Sequence, residues 1–268
     1  KTQPRFPGQI FDTYVQKSNN LQIWNEDLAY SRRYVIIRID ENSMIIKVKV
    51  VTGDQLARLD TTGTLTQKYQ ARLDIGQKTA ELVSNYDTDL LFPLMQPSIE
   101  DVLPASPVDD PKPGQLIPIR DMFSLLQSLI GKEFPDLGHD QERNRGAALH
   151  KLVCHCLGYA SYRDDGQFPD VRHQLLEVKL QTSPTIDLGL VRPDSSEILN
   201  ATLTAGHHVR HCDVRYALFY GTTNSQIVKL THLFLTTGES FFKRFPQFQG
   251  NVLNKKLQIP LPTGFFDS

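Results

Sequence analysis

The sequence predicts a mixed α/β or α+β fold in which helices flank a central sheet. Three observations support this prediction. Short apolar runs with a period of two residues, typical of strands, recur along the chain; two longer runs carry apolar residues at helical spacing; and Gly, Pro and Asn residues separate these segments. With 268 residues, of which 40% are hydrophobic, the chain can bury one large core or two smaller ones.

The first part of the chain, residues 1–115, is expected to be rich in sheet. Residues 34–39 and 44–51 are apolar runs joined by four polar residues, which predicts two antiparallel strands. Residues 61–73 are expected to add strands, and a helix is predicted near residues 77–84. Little in this part indicates chemistry.

A proline-rich stretch follows. Five prolines lie between residues 104 and 118, and this is the stretch with the composition of a linker or a long surface loop. We therefore place a domain boundary at about residue 115, with residues 116–268 as the second domain.

Helices and strands are predicted to alternate in the second domain. Two segments carry apolar residues at positions i, i+3, i+4 and i+7 and end at a glycine, as amphipathic helices do. Shorter apolar runs bounded by turn residues predict strands. The predicted helices are residues 119–130, 140–156, 196–208 and 238–245, and the predicted strands are residues 175–181, 214–220 and 227–235.

Composition limits the compartment and the partners. The formal net charge is -1, so the chain lacks the overall basic character typical of nucleic-acid binders, and any such binding would depend on local patches. Three cysteines do not form a disulfide framework, which fits a reducing compartment. No apolar run is as long as a membrane span. These features predict an intracellular, cytoplasmic protein that does not associate with membranes.

The candidate catalytic motif is Phe168-Pro169-Asp170 followed by Glu177-Val178-Lys179. Because side chains alternate along a strand, Glu177 and Lys179 would share one face of the strand predicted at residues 175–181, while Leu176, Val178 and Leu180 would face the core. Two carboxylates and an ammonium group are what metal-assisted hydrolysis of a phosphodiester requires.

The motif is moderately specific. A carboxylate two residues before a lysine occurs twice, at Asp110 and at Glu177, and the proline after Asp110 excludes a sheet interior there. The competing interpretation makes Glu177 and Lys179 the solvated face of an edge strand, with Pro169-Asp170 an ordinary turn.

Magnesium is the cofactor that this set of groups favours. Mg²⁺ prefers oxygen ligands, which Asp170, Glu177 and the carbonyl group of Val178 would provide. Lys179 would hold the attacking water molecule and favour its deprotonated form. Glu142, near the start of the helix predicted at residues 140–156, lies on the same face as the apolar stripe, so it either points toward this site or is a first-turn acid favoured by the helix dipole.

These residues resemble the motif of the PD-(D/E)xK nuclease superfamily, and the overall layout is similar to that of a type II restriction endonuclease. The match covers residues 140–181, and the mixed sheet of the superfamily would extend it to about residue 245. The resemblance implies a restriction-endonuclease-like core, with Asp170 and Glu177 as magnesium ligands, Lys179 as the catalytic lysine and Glu142 as a helix acid beside the metal. Residues 1–115 are left as a possible DNA-recognition region.

The resemblance implies a magnesium-dependent, site-specific endodeoxyribonuclease that acts on double-stranded DNA in a bacterial cytoplasm. A palindromic target would call for a homodimer, because symmetry in the target is matched by symmetry in the protein. Two alternatives remain open: a repair or modification-dependent DNA nuclease, and a non-catalytic DNA-binding or scaffold protein.

Several polar residues are candidates for contacts with DNA. Gln181 is similar to a glutamine that follows the lysine in some branches of the superfamily. Thr182 and Ser183 could approach the backbone through hydroxyl and amide groups, and Arg210 lies in a histidine-rich segment that could contact phosphate.

Two further groups of residues are candidates for a site. The near-duplicate Phe134-Pro135-Asp136 makes Asp136 an alternative to Asp170, although it lies too far upstream for a hairpin. His150, Cys154, His155 and Cys156 do not have the spacing of a zinc site, because Cys154 and Cys156 would point to different sides of a helix.

Overall fold

The computed structural model describes residues 12–15, 20–24, 28–40, 42–59, 67–95, 105–136, 141–202, 208–224, 226–247 and 255–267. The chain packs as two compact units. The first consists of Lys1–Ala71, Asp187–Leu190 and Gln247–Ser268, and the second of Arg72–Ile186 and Val191–Pro246. These two units therefore do not coincide with the domains predicted on either side of residue 115.

The regular elements follow one another along the chain as short strands with few helices. The strands are β1 (Asp12–Val15), β2 (Asn20–Trp24), β3 (Arg33–Ile39), β4 (Ile45–Thr52), β5 (Gln67–Arg72), β6 (Ala80–Leu82), β7 (Glu133–Pro135), β8 (Leu176–Gln181), β9 (Thr185–Gly189), β10 (Ile198–Thr202), β11 (His208–Arg210), β12 (Arg215–Thr223), β13 (Ile227–Thr237) and β14 (Lys255–Pro260). The α-helices are α1 (Gly53–Ala57), α2 (Ile119–Leu126), α3 (Gln141–Cys156) and α4 (Phe241–Arg244).

The first unit contains the strand pair predicted near residue 40. Strands β3 and β4 are antiparallel, with Val35 opposite Val50 and Ile37 opposite Val48. One face of this hairpin, with Tyr34 and Ile36, packs into the core of the unit. The opposite face is exposed: its aliphatic side chains are 48–59% accessible, namely Val35, Ile37, Ile39, Ile46, Val48 and Val50.

The second unit is built around a mixed sheet with the strand order β6-β13-β12-β8, and β7 also pairs with β13. Strands β8 and β12 are parallel, whereas β12 and β13 are antiparallel. Apolar residues of α2 and α3 pack on one face of this sheet in a common core. The predicted mixed α/β class with helices beside a mixed sheet is thus confirmed.

Both long predicted helices form, and one of them, α2, is shorter than predicted. Helix α3 ends close to Gly158, whose φ of 89° is the left-handed conformation that favours glycine. Helix α2 ends at Leu126 and continues as a 3₁₀ turn over Gln127–Leu129. At residues 238–245, a 3₁₀ turn over Gly238–Ser240 precedes the single-turn helix α4.

Two predicted helices were wrong. The segment predicted as a helix at residues 77–84 contains β6, which gains its hydrogen bonds by pairing in parallel with β13. The segment predicted as a helix at residues 196–208 contains β10 and the start of β11, which pair with each other; residues 203–207 lie outside the described residues. In both cases a strand partner elsewhere in the chain overrides the local pattern.

The proline-rich stretch is part of the second unit rather than a linker. Pro107, Pro111 and Leu116 are buried within it. The Ile117 N–H donates to Oε1 of Gln174 at 2.9 Å, which fixes the end of this stretch beside the segment that leads into β8.

A buried ion pair joins three segments of the second unit. The Arg215 guanidinium is fully buried, and its Nε lies 2.6 Å from Oδ1 of Asp87. Asp87 also accepts the N–H of Ile119 at the start of α2, and Nη1 of Arg215 donates to the Gln174 carbonyl at 3.1 Å. None of the helices in the described part of the chain combines the length and hydrophobicity that crossing a bilayer requires.

The Asp87→Ala variant should lower the free energy of unfolding by about 3–5 kcal/mol, because it leaves a buried guanidinium without its counter-ion. Urea denaturation would measure this change. Asp54→Ala is the matched control, since Asp54 forms an exposed ion pair with Arg58 and its loss should change stability little. Equal effects of the two substitutions would contradict a special role for the buried pair.

Candidate active site

Asp170 and Glu177 lie together at the edge of the mixed sheet. The Val178 N–H donates to Oδ2 of Asp170 at 2.9 Å, and the Asp170 N–H donates to Oε2 of Glu177 at 3.2 Å. The Asp170 carboxylate is thus held by the amide of the residue after Glu177, and the Glu177 carboxylate by the amide of Asp170 itself. The two acids predicted from the motif therefore lie side by side.

A tight chain reversal brings the two acids together. Val171 and Leu176 form an antiparallel bridge with backbone hydrogen bonds of 2.9 and 3.1 Å. Between them, Arg172–Gln174 form one 3₁₀ turn, and Leu175 takes a left-handed conformation with φ 49°. This reversal is the hairpin-length connection that the spacing of the motif predicts.

Lys179 completes the group. Its Nζ lies 2.9 Å from Oε1 of Glu177, and their side chains are 19% and 10% exposed. Both residues lie on one face of β8, while Leu176, Val178 and Leu180 join the core on the other face. Alternation along the strand therefore separates charge from core as predicted.

Burial and a neighbouring charge alter the protonation of Asp170. Burial first, and then the negative charge of Glu177, raise the pKa of Asp170 to about 7, although the Val178 amide and Lys179 act in the opposite direction. The charge of Asp164, in the loop that precedes the motif, adds to this rise. A carboxyl that titrates near neutrality is typical of functional sites.

The donor set fits a hard cation such as Mg²⁺. Two carboxylates that repel each other are held together in a largely buried place, and a cation would relieve this repulsion. The N–H and C=O of one residue in a strand point to the same side, so the carbonyl of Val178 faces the same edge as the N–H that binds Asp170. Within the described residues, no group of three or more His, Cys, Asp or Glu side chains forms a metal site, so the backbone oxygen and water would complete the coordination.

The alternative acid Asp136 serves a structural role. It is buried, and both of its oxygens are bound by the Arg145 guanidinium, at 2.7 and 2.6 Å. Thr223 donates a further hydrogen bond to it at 2.5 Å. The bonds from Arg145 chiefly hold the pKa of Asp136 below its usual value. Asp136 is therefore an ion-pair partner at the end of β7.

Glu142 belongs to α3, and this helix contacts β8. The side chain of Glu142 lies outside the described residues, so its proximity to the metal ligands stays a prediction. His150 and Cys154 lie further along the same helix, with Nε2 and Sγ 3.4 Å apart, and burial raises the pKa of Cys154 to about 12. This pair is a buried contact within one helix.

The predicted DNA contacts occupy different environments. Gln181 is half-buried at the end of β8, and Thr182 and Ser183 are exposed in the turn that follows. Arg210 is held by both oxygens of the buried Asp213, at 2.9 and 3.0 Å, which raises the pKa of the guanidinium further. Arg210 thus contributes to the local fold and keeps an exposed side-chain fraction of 41%.

Sequence reasoning missed two contacts that lie beside the site. Tyr216 lies opposite Glu177 in the parallel pair, and the Phe168 ring stacks on His211 at 5.3 Å. The first contact depends on the pairing of β8 with β12, and the second joins a loop residue to a 3₁₀ turn from a distant part of the chain. The one sequence signal was the aromatic content of the segment that became β12.

The Asp170→Asn variant should be more stable than the wild type at pH 8 without divalent cations, and the difference should vanish near pH 4. Because the pKa of Asp170 is raised to about 7 in the folded state, the folded protein binds this proton more tightly than the unfolded chain does. The resulting stabilisation is fully present below about pH 4 and is lost as the pH rises through about 7. Thermal denaturation between pH 4 and pH 8 would measure this trend. Asp165→Asn, in the same loop but exposed, is the control. A Tm difference that does not depend on pH would contradict it.

Comparison with protein-family models, with curated proteins and with solved structures found no match for this chain. The resemblance to a nuclease superfamily therefore depends on the motif residues themselves. The functional argument is carried by the geometry of Asp170, Glu177 and Lys179.

Proposed function

We propose that this chain is a magnesium-dependent endodeoxyribonuclease that hydrolyses phosphodiester bonds of double-stranded DNA, as a type II restriction enzyme does. One observation carries the proposal: Asp170, Glu177 and Lys179 meet at one edge of the sheet through contacts of 2.9–3.2 Å. The interpretation as a DNA-binding or scaffold protein expects the two acids to lie apart, so their proximity favours an enzyme.

Each residue has a role that its position supports. Asp170, Glu177 and the carbonyl of Val178 would hold Mg²⁺. When bound, the cation activates water for attack and neutralises charge on the phosphodiester. Lys179, held at 2.9 Å from Glu177, places an ammonium group where the attacking water and the phosphate would meet.

The protonation of Asp170 couples cation binding to pH. Because its pKa is raised to about 7, a proton and the cation compete for the same carboxylate near neutrality. Binding of Mg²⁺ should therefore release a proton, and the affinity for Mg²⁺ should increase as the pH rises from 6 to 8.

The partner and the assembly follow from the proposed reaction. A restriction-type enzyme that cuts both strands of a palindrome needs two catalytic centres related by a two-fold axis, so we propose a homodimer on double-stranded DNA. Residues 1–115 are proposed to take part in target recognition.

Wild-type protein should cut phage DNA into discrete fragments in the presence of Mg²⁺. The Lys179→Ala variant should cut about 100- to 1,000-fold more slowly, because it lacks the charge that stabilises the transition state. Gel analysis of timed digests would measure both rates. Lys229→Ala is the matched control, since Lys229 also pairs with a glutamate, Glu133, but at an exposed position; it should cut at the wild-type rate.

Methylated and unmethylated substrates should be digested in parallel. Cutting of methylated DNA alone would favour the modification-dependent nuclease. Undiminished cutting by Lys179→Ala, or no rise in wild-type Tm on addition of Mg²⁺ at pH 8, would contradict the proposed site.

A further inference from the structure

A row of three polar side chains crosses the sheet beside the proposed site. Gln181 of β8 lies opposite Tyr220 of β12, which lies opposite His232 of β13. Residues in register share a face of the sheet, so this row lies on the same face as Glu177 and Lys179. We call Gln181, Tyr220 and His232 the polar row.

This face of the sheet becomes accessible to solvent at the polar row. In the preceding row, Leu218 and Phe234 are fully buried, and the Phe245 ring packs on Phe234 at 5.7 Å. The three members of the polar row are each only partly buried. A ligand that reaches Lys179 along this face can therefore contact the polar row next.

The polar row has hydrogen-bonding groups without partners among the described residues. They are the amide of Gln181, the hydroxyl of Tyr220 and Nε2 of His232. Partly buried polar groups of this kind are normally satisfied by water or by a ligand.

The hydrogen bonds of His232 determine which group it presents. The Thr231 hydroxyl donates its one proton to the Tyr220 carbonyl at 3.1 Å. At the 2.9 Å contact between this hydroxyl and Nδ1 of His232, the ring nitrogen must therefore be the donor. Neutral His232 consequently carries its proton on Nδ1 and presents Nε2 as an acceptor. Burial lowers the pKa of His232, which keeps the ring neutral above pH 7.

We infer that the polar row is a base-reading subsite, in which Nε2 of His232 accepts a hydrogen bond from the exocyclic amino group of an adenine or a cytosine in the DNA target. Adenine N6 and cytosine N4 are the amino donors that the major groove presents. Tyr220 and Gln181 supply further donors and acceptors beside it. The inference rests on the proposed nuclease function and assigns specificity-determining residues to it.

The distance from the proposed site fits this role. Residues two apart in a strand are separated by about 7 Å, and successive nucleotides of a DNA strand rise by about 3.4 Å each. Gln181 therefore lies about two nucleotides from the phosphodiester held at Lys179. His232, two strands further across the sheet at about 4.8 Å per strand, lies about 12 Å from Lys179, which corresponds to about three to four nucleotides. A contact so close to the cut falls within a short recognition sequence.

The test is a cleavage profile on a duplex library with randomised bases, read by sequencing the cut ends. Wild-type protein should require adenine or cytosine at one position near the cut. In His232→Ala this preference should relax by about tenfold at that position, and kcat on the best sequence should change less than kcat/KM. Tyr220→Phe keeps the ring and the fold and should relax the same preference to a smaller degree.

Two controls and one alternative outcome make the result decisive. Tyr162→Phe and His155→Ala alter exposed residues outside the polar row and outside residues 1–115, and they should keep the wild-type profile. If His232 instead contacts a phosphate, His232→Ala should weaken binding equally for all sequences and reduce the salt dependence of binding. This outcome would overturn the inference. An unchanged profile in both His232→Ala and Tyr220→Phe would also overturn it.

The same library should be selected for binding to the full chain in EDTA, where no cutting occurs. If the wild type binds selectively but cuts nothing in any divalent metal, the nuclease proposal fails, and the polar row is judged by whether His232→Ala changes the bound sequences. If the wild type neither binds nor cuts, both proposals fail. Cutting with a His232-independent profile removes the subsite alone.

Discussion

The buried pair of Arg215 and Asp87 fixes the geometry on which the proposed site depends. Arg215 opens β12, and its guanidinium and backbone amide bind the carbonyls of Gln174 and Leu175, the two residues that lead into β8. The start of β8 is therefore held by charge and by backbone hydrogen bonds together. Since Glu177 and Lys179 follow within four residues, their positions relative to β12 are set by the same interaction.

The proposed site concentrates unfavourable electrostatics that the surrounding fold must support. Two acids are kept at one sheet edge, and burial and mutual repulsion raise the pKa of Asp170 to about 7. Backbone amides hold both carboxylates in place. If either side chain moved away, a backbone N–H would lose its hydrogen-bond partner. We propose that a divalent cation relieves this repulsion, because the oxygen donors here match its preferences.

Local patterns in the sequence predicted the parts of the fold that depend on local physics. The alternation around Glu177 and Lys179 reports the period of a strand, and the reversal between Asp170 and Glu177 follows from their short separation. The strand β6 was missed because its three residues become a strand only through β13. Arg215 resembles a surface residue in the sequence. Tyr220 and His232 are 12 positions apart in the sequence, and only strand register brings them together.

The proposed chemistry and the packing of β8 depend on the same two-residue repeat. The leucines that anchor this strand in the apolar interior and the groups proposed for chemistry occupy alternate positions of the same six residues. Gain or loss of a single residue after the reversal would rotate the strand by half a repeat, sending both charged groups inward and the leucines outward. Insertions and deletions upstream of Asp170 leave the register of β8 unchanged, so neither set of side chains would be inverted there.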